Sequence, residues 1–248
     1  MISAIVLSHN DQDTIRQCLS SVLWCDEVIV VDDNSTDATI GIAKKTGAKV
    51  CIRALNDDFS EQRNFGLFNA KGDWVLFVDS DEAITEDLQK EIRQILNKET
   101  GKVGYFVKRN DYFMGSWLLH GETANVRLLR LAKKESGCWQ RPVHEVWVVK
   151  GSVGELNKPF HHFPHPNVAQ FLEKINSYSS LQAKLLYRDN VRVYWWHIIA
   201  YPAGKFFVNY IWRLGFLDGT AGAVMAIMMS FHSFLVRAKL WQLRDRKT

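Results

Sequence analysis

Three features of the sequence predict an α/β fold: a doubly wound, mostly parallel, Rossmann-like sheet with a small antiparallel portion, followed by a C-terminal helical region. Short apolar, β-branched runs alternate with helical patterns over residues 1–96, strand-like segments then succeed one another without helices between them, and from Val168 the pattern is helical. Strands buried on both faces of a parallel sheet read as continuous apolar runs, as Ile2–Leu7, Glu27–Asp32, Ala48–Arg53 and Trp74–Asp79 do. Between them, Thr14–Leu23, Ala38–Lys45 and Glu61–Ala70 carry helical spacing, with Asp11 or Asp13 and Thr36 as expected N-caps and Gly47 and Gly72 as stops. Glu86–Leu96 forms a further helix that Thr85 can cap. Gly104–Arg109, Asn125–Leu131, Glu145–Lys150 and Glu155–His162 then supply the antiparallel portion of the same domain. The expected division is an α/β domain over 1–166 and a helical region over 167–248.

Composition narrows the classes. Of 248 residues, 47% are hydrophobic and 23% charged, which excludes disordered and low-complexity chains. The net charge of +4 is unevenly spread: residues 1–183 carry 21 Lys/Arg against 24 Asp/Glu, and residues 184–248 carry 10 against 3. Four cysteines without CxxC pairing suggest neither a zinc knuckle nor a disulfide framework and fit a reducing compartment. The start, MISAIVLSHND, lacks a basic segment before its apolar run and a small-residue cleavage pattern after it, so a cytoplasmic location is expected.

In a doubly wound sheet the ligand lies beyond the carboxyl ends of the strands, so the residues there carry the chemistry. The first predicted strand ends in Ser8-His9-Asn10, the second in Asp32-Asp33-Asn34-Ser35 and the fourth in Asp79-Ser80-Asp81-Glu82. A dinucleotide site needs a glycine-rich turn after the first strand, and Ser8-His9-Asn10-Asp11 has no glycine; a P-loop is also absent. Carboxylates at every mouth admit a diphosphate only with a cation between them, and hard Mg²⁺ or Mn²⁺ answers that need. Asp79-x-Asp81 is the natural metal platform, although a DxD tripeptide by itself also reads as a solvated helix-capping loop.

The order of these motifs carries a resemblance. EVIVVDDNSTDATIGIAKKTGAKV followed by FSEQRNFGLFNAKGDWVLFVDSDE resembles the nucleotide-sugar-binding half of an inverting family 2 glycosyltransferase of the GT-A fold, over residues 1–96. The resemblance implies that Ser8, Asn10 and Asp32 or Asp33 hold base and ribose, that Gln62 and Arg63 lie along the nucleotide, and that Asp79, Ser80 and Asp81 serve the ribose and the metal-bound diphosphate. Residues 97–166 then form the acceptor half. Inverting transfer needs a base for the acceptor hydroxyl, and one positioned carboxylate suffices. In Trp139-Gln140-Arg141-Pro142-Val143-His144-Glu145, Glu145 opens a strand-like run and is the expected base; His144 is a metal ligand or orients the acceptor. Neighbours in an extended segment face opposite ways, so both reach the sugar only from an irregular loop. His161-His162-Phe163-Pro164-His165 has no Cys or carboxylate beside it and reads as a turn, or as one histidine touching the diphosphate or acceptor, before a zinc site.

QRPVHEVW, the His-rich turn, FLEKINSYSSLQAKLLY and YIWRLGFLDGTAGAVMAIMMSFHSFLVRAKLW are similar to lipopolysaccharide core glycosyltransferases of the heptose glucosyltransferase type. That similarity implies a nucleotide-sugar donor, UDP-linked, and a lipid-linked saccharide acceptor at the inner membrane. Two rivals are weighed against it: a sugar-phosphate nucleotidyltransferase, which normally has a basic, Gly-rich first loop, and a non-catalytic membrane-surface scaffold.

The tail has its own pattern. Gly219–Val236 is free of formal charge for eighteen residues, the lower limit for a spanning helix, but is rich in Gly, Ser and Thr. Phe206, Phe207, Tyr210, Ile211, Leu214 and Leu217 form an apolar helical face with Lys205, Asn209 and Arg213 elsewhere. A basic helix rich in Trp and Phe lies in a membrane interface rather than across it. The expected partner is therefore the cytoplasmic membrane surface and not nucleic acid, with a homodimer through these helices as the alternative.

Overall fold

The computed structural model describes residues 1–142, 145–164 and 168–245. They divide into two compact units, Met1–Arg109 with Val126–His162, and Asn110–Asn125 with the chain from Phe163 onward.

The first unit is built from β1 (Ile2–Ser8), α1 (Ile15–Val22), β2 (Glu27–Asp32), α2 (Thr39–Lys45), β3 (Lys49–Ile52), α3 (Phe59–Asn69), β4 (Trp74–Asp79), β5 (Glu82–Ile84) and α4 (Glu86–Leu96). It continues with β6 (Gly104–Phe113), then, after β7 (Ser116–Leu118), with β8 (Arg127–Lys133), β9 (Gly137–Gln140), β10 (Val146–Val149), β11 (Val153–Glu155) and β12 (Phe160–His162). The sheet order is β3-β2-β1-β4-β8-β6, with β12 and β5 beyond; β1 to β4 are parallel, and β8 enters antiparallel to both β4 and β6. This is the mostly parallel sheet with an antiparallel portion that the sequence predicts. β9 and β10 form a separate antiparallel ribbon.

Alternation along each strand feeds two cores. Ala4, Val6, Val30, Leu76 and Val78 pack with Ile15, Leu19, Leu88 and Ile92 on one face, and Ile5, Ile29, Val31, Val75 and Phe77 pack with Leu67, Trp139 and Trp147 on the other. Both faces are covered, so the strands lack a polar stripe. α3 approaches β1 closely at Gly66, where a Cβ would stand 2.6 Å from Ile5 Cγ2.

Several local expectations are corrected. Thr36 does not cap α2: its N–H donates to Asn10 Oδ1, and Asp37 Oδ1 accepts from Thr39 N instead. Asp11 meets the start of α1 through its backbone oxygen, which accepts from Thr14 N and Ile15 N. α3 begins two residues before the expected Glu61 because Asp58 Oδ1 accepts from Glu61 N at 2.9 Å. Thr85 caps α4 as expected, accepting from Leu88 N. The segment expected as one strand over Glu155–His162 is split into β11 and β12.

The second unit contains the end of β6, which turns through Met114 and Gly115, at φ 48° and 81°, into β7. It also holds α5 (Val168–Arg188), α6 (His197–Phe207) and α7 (Gly219–Asp245). Phe113, Leu118, Phe171, Ile175, Ala221, Met225 and Met228 form its core, and Ala183, Val193 and Leu240 a smaller cluster. The helical tail is interrupted: a wide turn over Val208–Trp212 and a tight one over Gly215–Asp218 separate α6 from α7. Asp218 fixes this corner, its carboxylate accepting from His120 N at 2.8 Å and standing 2.7 Å from His120 Nδ1. Gly215–Asp245 is long and apolar enough to cross a membrane by length and composition, with 39% of its apolar window buried within the protein.

Candidate active site

The mouths of β1, β2 and β4 are tied together by their own polar residues. Ser8 Oγ donates to Asp32 Oδ2 at 2.8 Å, and Asp32 also accepts from Ser35 N and Ser35 Oγ at 2.7 and 2.6 Å. Asp32 is fully buried, so its carboxylate shapes the loop from within. Asn10 takes a left-handed conformation, φ 54°, which an asparagine tolerates well; its N–H donates to Ser35 Oγ. Asp33 stays partly accessible, accepting from Leu55 N through Oδ1 while His9 Nδ1 lies 3.6 Å from Oδ2. Ser80 Oγ donates to Asp11 Oδ2 at 2.6 Å, joining the β4 mouth to the β1 loop.

At the end of β4 the carboxylates divide into two kinds. Asp79 is engaged on both oxygens, Oδ1 by Arg63 Nη2 at 2.9 Å and Oδ2 by Arg130 Nη2 at 2.5 Å. Glu82 is buried, receives Arg130 Nη2 at 2.7 Å and accepts from Asp79 N. Burial alone would raise the Asp79 carboxyl, but Arg130 and Arg63 outweigh it and hold it far below the usual range. Burial pushes the Glu82 carboxyl up, to about 7; Arg130 opposes this and the Asp79 charge adds to it. Asp81 is partly exposed, with His162 Nε2 at 3.6 Å from its Oδ2.

Arg63 joins β4 to the segment after β9. Its Nε and Nη2 both lie 2.9 Å from Glu145 Oε1, and its Cζ is 4.6 Å from the centre of the Trp139 ring. Trp139 is fixed in turn: Asn64 donates from Nδ2 to its O and accepts from its N at 2.9 and 2.8 Å, and its ring stacks on Trp147. Glu145 Oε2 has no protein hydrogen bond among the described residues. Gln62 is buried and donates to Arg53 O, and its Oε1 has no partner among the described residues.

Of the residues singled out in the sequence, Ser8, Asn10, Asp32 and Asp33 form one group, and Arg63, Asp79 and Glu145 a second. Asp81 lies beside His162, Ser80 links the two mouths, and His144 and His165 lie outside the described residues. Sequence reasoning missed Arg130. Its signal is a lone charge within the apolar strand Leu128-Leu129-Arg130-Leu131-Ala132, where burial demands a counter-charge. Among the described residues no cluster of three or more His, Cys, Asp or Glu is arranged to hold a metal by protein ligands alone.

The sequence profile of glycosyl transferase family 2 matches residues 3–146. An uncharacterized glycosyltransferase of Rickettsia typhi is 30% identical, over 98% of this chain and 87% of its own length. The lipopolysaccharide core biosynthesis glycosyltransferase LpsC of Rhizobium meliloti is 28% identical, over 97% and 92%. Among solved structures, S. aureus TarS 1-349 superposes with a TM-score of 0.51, at 17% identity and over 99% of this chain and 91% of that one. Glucosyl-3-phosphoglycerate synthase of Mycobacterium tuberculosis, in complex with Mn²⁺, UDP and phosphoglyceric acid, superposes with a TM-score of 0.50, at 18% identity and over 75% and 77%. The last two likenesses are of fold.

Proposed function

The chain belongs to glycosyl transferase family 2, and from that premise we propose that it moves a sugar, with inversion, from a UDP-linked donor to a lipid-linked saccharide such as lipopolysaccharide core at the cytoplasmic face of the inner membrane. The observation that carries this reading is the division among the carboxylates at the end of β4: Asp79 and Glu82 are ion-paired with arginines, while Asp81, beside His162, has no arginine or lysine partner among the described residues. That is the place where a donor's diphosphate meets the sheet.

The donor set suits a divalent cation whose coordination the substrate completes. Mg²⁺ and Mn²⁺ are commonly held by one or two carboxylates together with phosphate oxygens and water, and Asp81 with His162, 3.6 Å apart, offers such a partial set. The metal-bound complex of the M. tuberculosis synthase supports this reading. When bound, the cation supplies charge neutralisation for the departing diphosphate. Asp79, with both oxygens taken, has the part of an orienting group. Ser8, Asn10 and Asp33 bound the space for base and ribose, Asp32 holding their loop in shape, while Gln62 and Ser80 flank the nucleotide.

Glu145 is assigned as the base. Arg63 fixes its Oε1 and leaves Oε2 to accept the proton of the acceptor hydroxyl. The C-terminal helices support a membrane-surface location. α6 is strongly apolar yet contains no buried residue, and Ile199 and Trp212 are 66% and 76% exposed. α6 packs along α7 on one side, and the apolar side chains left exposed on its other side need another cover; the basic excess of residues 184–248 suits an anionic bilayer.

The test is donor hydrolysis. UDP-glucose, UDP-galactose, UDP-GlcNAc and GDP-mannose are incubated with the protein with and without Mn²⁺ or Mg²⁺, and release of the nucleoside diphosphate is measured. Metal-dependent release that Asp81→Ala abolishes supports the assignment. Equal release in chelator, or in the variant, removes the metal site from Asp81, and pyrophosphate release from a nucleoside triphosphate would instead indicate a nucleotidyltransferase.

A further inference from the structure

The second unit encloses a cleft of about 670 Å³ that the chemistry proposed above does not use. Gly204 of α6 and Val208, just past its end, line one side, and Met229, Ser233 and Arg237, four residues apart along α7, line the other. A Cβ on Gly204 would meet nothing within 4 Å, so the cleft is open at that point.

Its charges are unequal in status. Glu122 is already neutralised by Lys205 Nζ at 2.6 Å and bonded by Asn209 Nδ2 at 3.0 Å. Arg237 has no carboxylate within ion-pair distance among the described residues. Its guanidinium lies 4.3 Å over the Tyr201 ring, and Nη1 reaches only Ser233, with Oγ at 3.3 Å and O at 3.4 Å. Burial disfavours its charge and lowers its pKa, so the site holds a cation that no carboxylate pairs among the described residues. A planar donor fork held on an aromatic ring and open to a cleft suits a phosphate group, which it can engage through two N–H donors. Val208, Met229 and Ala200 supply an apolar part of the wall, among the polar Gln182, Lys205 and His232, and the outer side of α6 carries the exposed Ile199 and Phe207.

We infer that this cleft receives the phosphate of an anionic lipid, paired with Arg237 and bonded by the Ser233 hydroxyl, with the first carbons of the acyl chains against Val208 and Met229. The inference rests on the membrane-surface reading of the tail and adds a defined headgroup site to it.

Calorimetry with dihexanoyl phosphatidic acid tests it, with inorganic phosphate as the second arm. The lipid is expected to bind the wild-type chain and inorganic phosphate to bind far more weakly. Arg237→Gln and Gly204→Phe, the second filling open space from a helix position, should each weaken lipid binding by about tenfold or more while the thermal midpoint stays unchanged. Undiminished binding in both variants, or no binding by the wild type, overturns the inference, and equal affinity for inorganic phosphate overturns its lipid part. Pelleting with phosphatidylglycerol vesicles separates it from the reading beneath. If vesicles are not bound but the short-chain lipid still depends on Arg237, the surface location fails and the cleft stands. If vesicles pellet the protein and the short-chain lipid does not bind, the cleft alone fails.

Discussion

Arg130 Nη2 stands 2.5 Å from Asp79 Oδ2, and the same nitrogen reaches Glu82 at 2.7 Å, so one strand residue from β8 neutralises two carboxylates at the end of β4. Removing one partner of a buried ionic cluster leaves the others uncompensated. Arg130→Met should therefore lower unfolding free energy by about 3 to 5 kcal/mol, read from urea denaturation. A loss under about 1 kcal/mol would mean that the cluster is solvated in solution.

The same cluster sets a pH dependence. Glu82 is raised from 4.5 to about 7 in the folded chain, so the folded state holds more protons there than the unfolded state does. Its contribution to stability is present below pH 4.5 and is lost as pH rises through about 7. Asp79 is depressed and acts oppositely: its contribution is present above its ordinary value of 3.8 and disappears in stronger acid. Glu82→Gln mimics the protonated form, and its stability between pH 4.5 and 7 should be flatter than the wild type's. Parallel curves for the two proteins in that interval would refute the assignment.

Glu145→Gln keeps an oxygen for Arg63 to bond and removes the proton acceptor. Transfer should fall by about 10²- to 10⁴-fold, with donor affinity, measured by calorimetry with the nucleoside diphosphate, within about twofold of wild type. An equal loss of donor affinity would assign Glu145 to donor binding instead of catalysis.

Trp212, at 76% exposure, and Ile211, at 44%, contribute little to folding. The double change Ile211→Ser with Trp212→Ser should leave the melting temperature near wild type and reduce binding to anionic vesicles by about tenfold or more. If vesicle binding is unchanged but the variant alters the sedimentation of the protein alone, these residues cover a second copy of the chain.

β1, β2 and β4 were legible because they are buried on both faces and therefore continuous in their apolar residues, as in Ile29-Val30-Val31 and Val75-Leu76-Phe77-Val78; β3, at the sheet edge, was legible from Val50-Cys51-Ile52 alone. The acidic mouths were legible because polar residues follow those runs abruptly. What escaped depends on contacts between distant segments. Thr36 reads as a cap by type, yet its N–H is claimed by Asn10, twenty-six residues earlier. β7 and β9 are short, three and four residues, and carry too little periodicity to register. The DxD motif reads as two equivalent acids; only the tertiary fold brings Arg63 and Arg130 to the first of them and a histidine, His162, to the second.

The insertion of β8 beside β4 has a consequence for synthesis. A nascent chain that has left the ribosome only as far as Val126 already contains β1 to β4 with Asp79 and Glu82, but neither Arg130 nor Glu145. Asp79 is made 51 residues, and Glu82 48 residues, ahead of the arginine that answers both. Until that arginine arrives, closing the sheet over Glu82 means burying an unanswered acid or keeping it protonated. Emergence of residues 127–133 thus becomes the step that commits the parallel half to its final packing, and a stop codon before it would release a chain whose parallel strands are complete in sequence and poorly stable in fact.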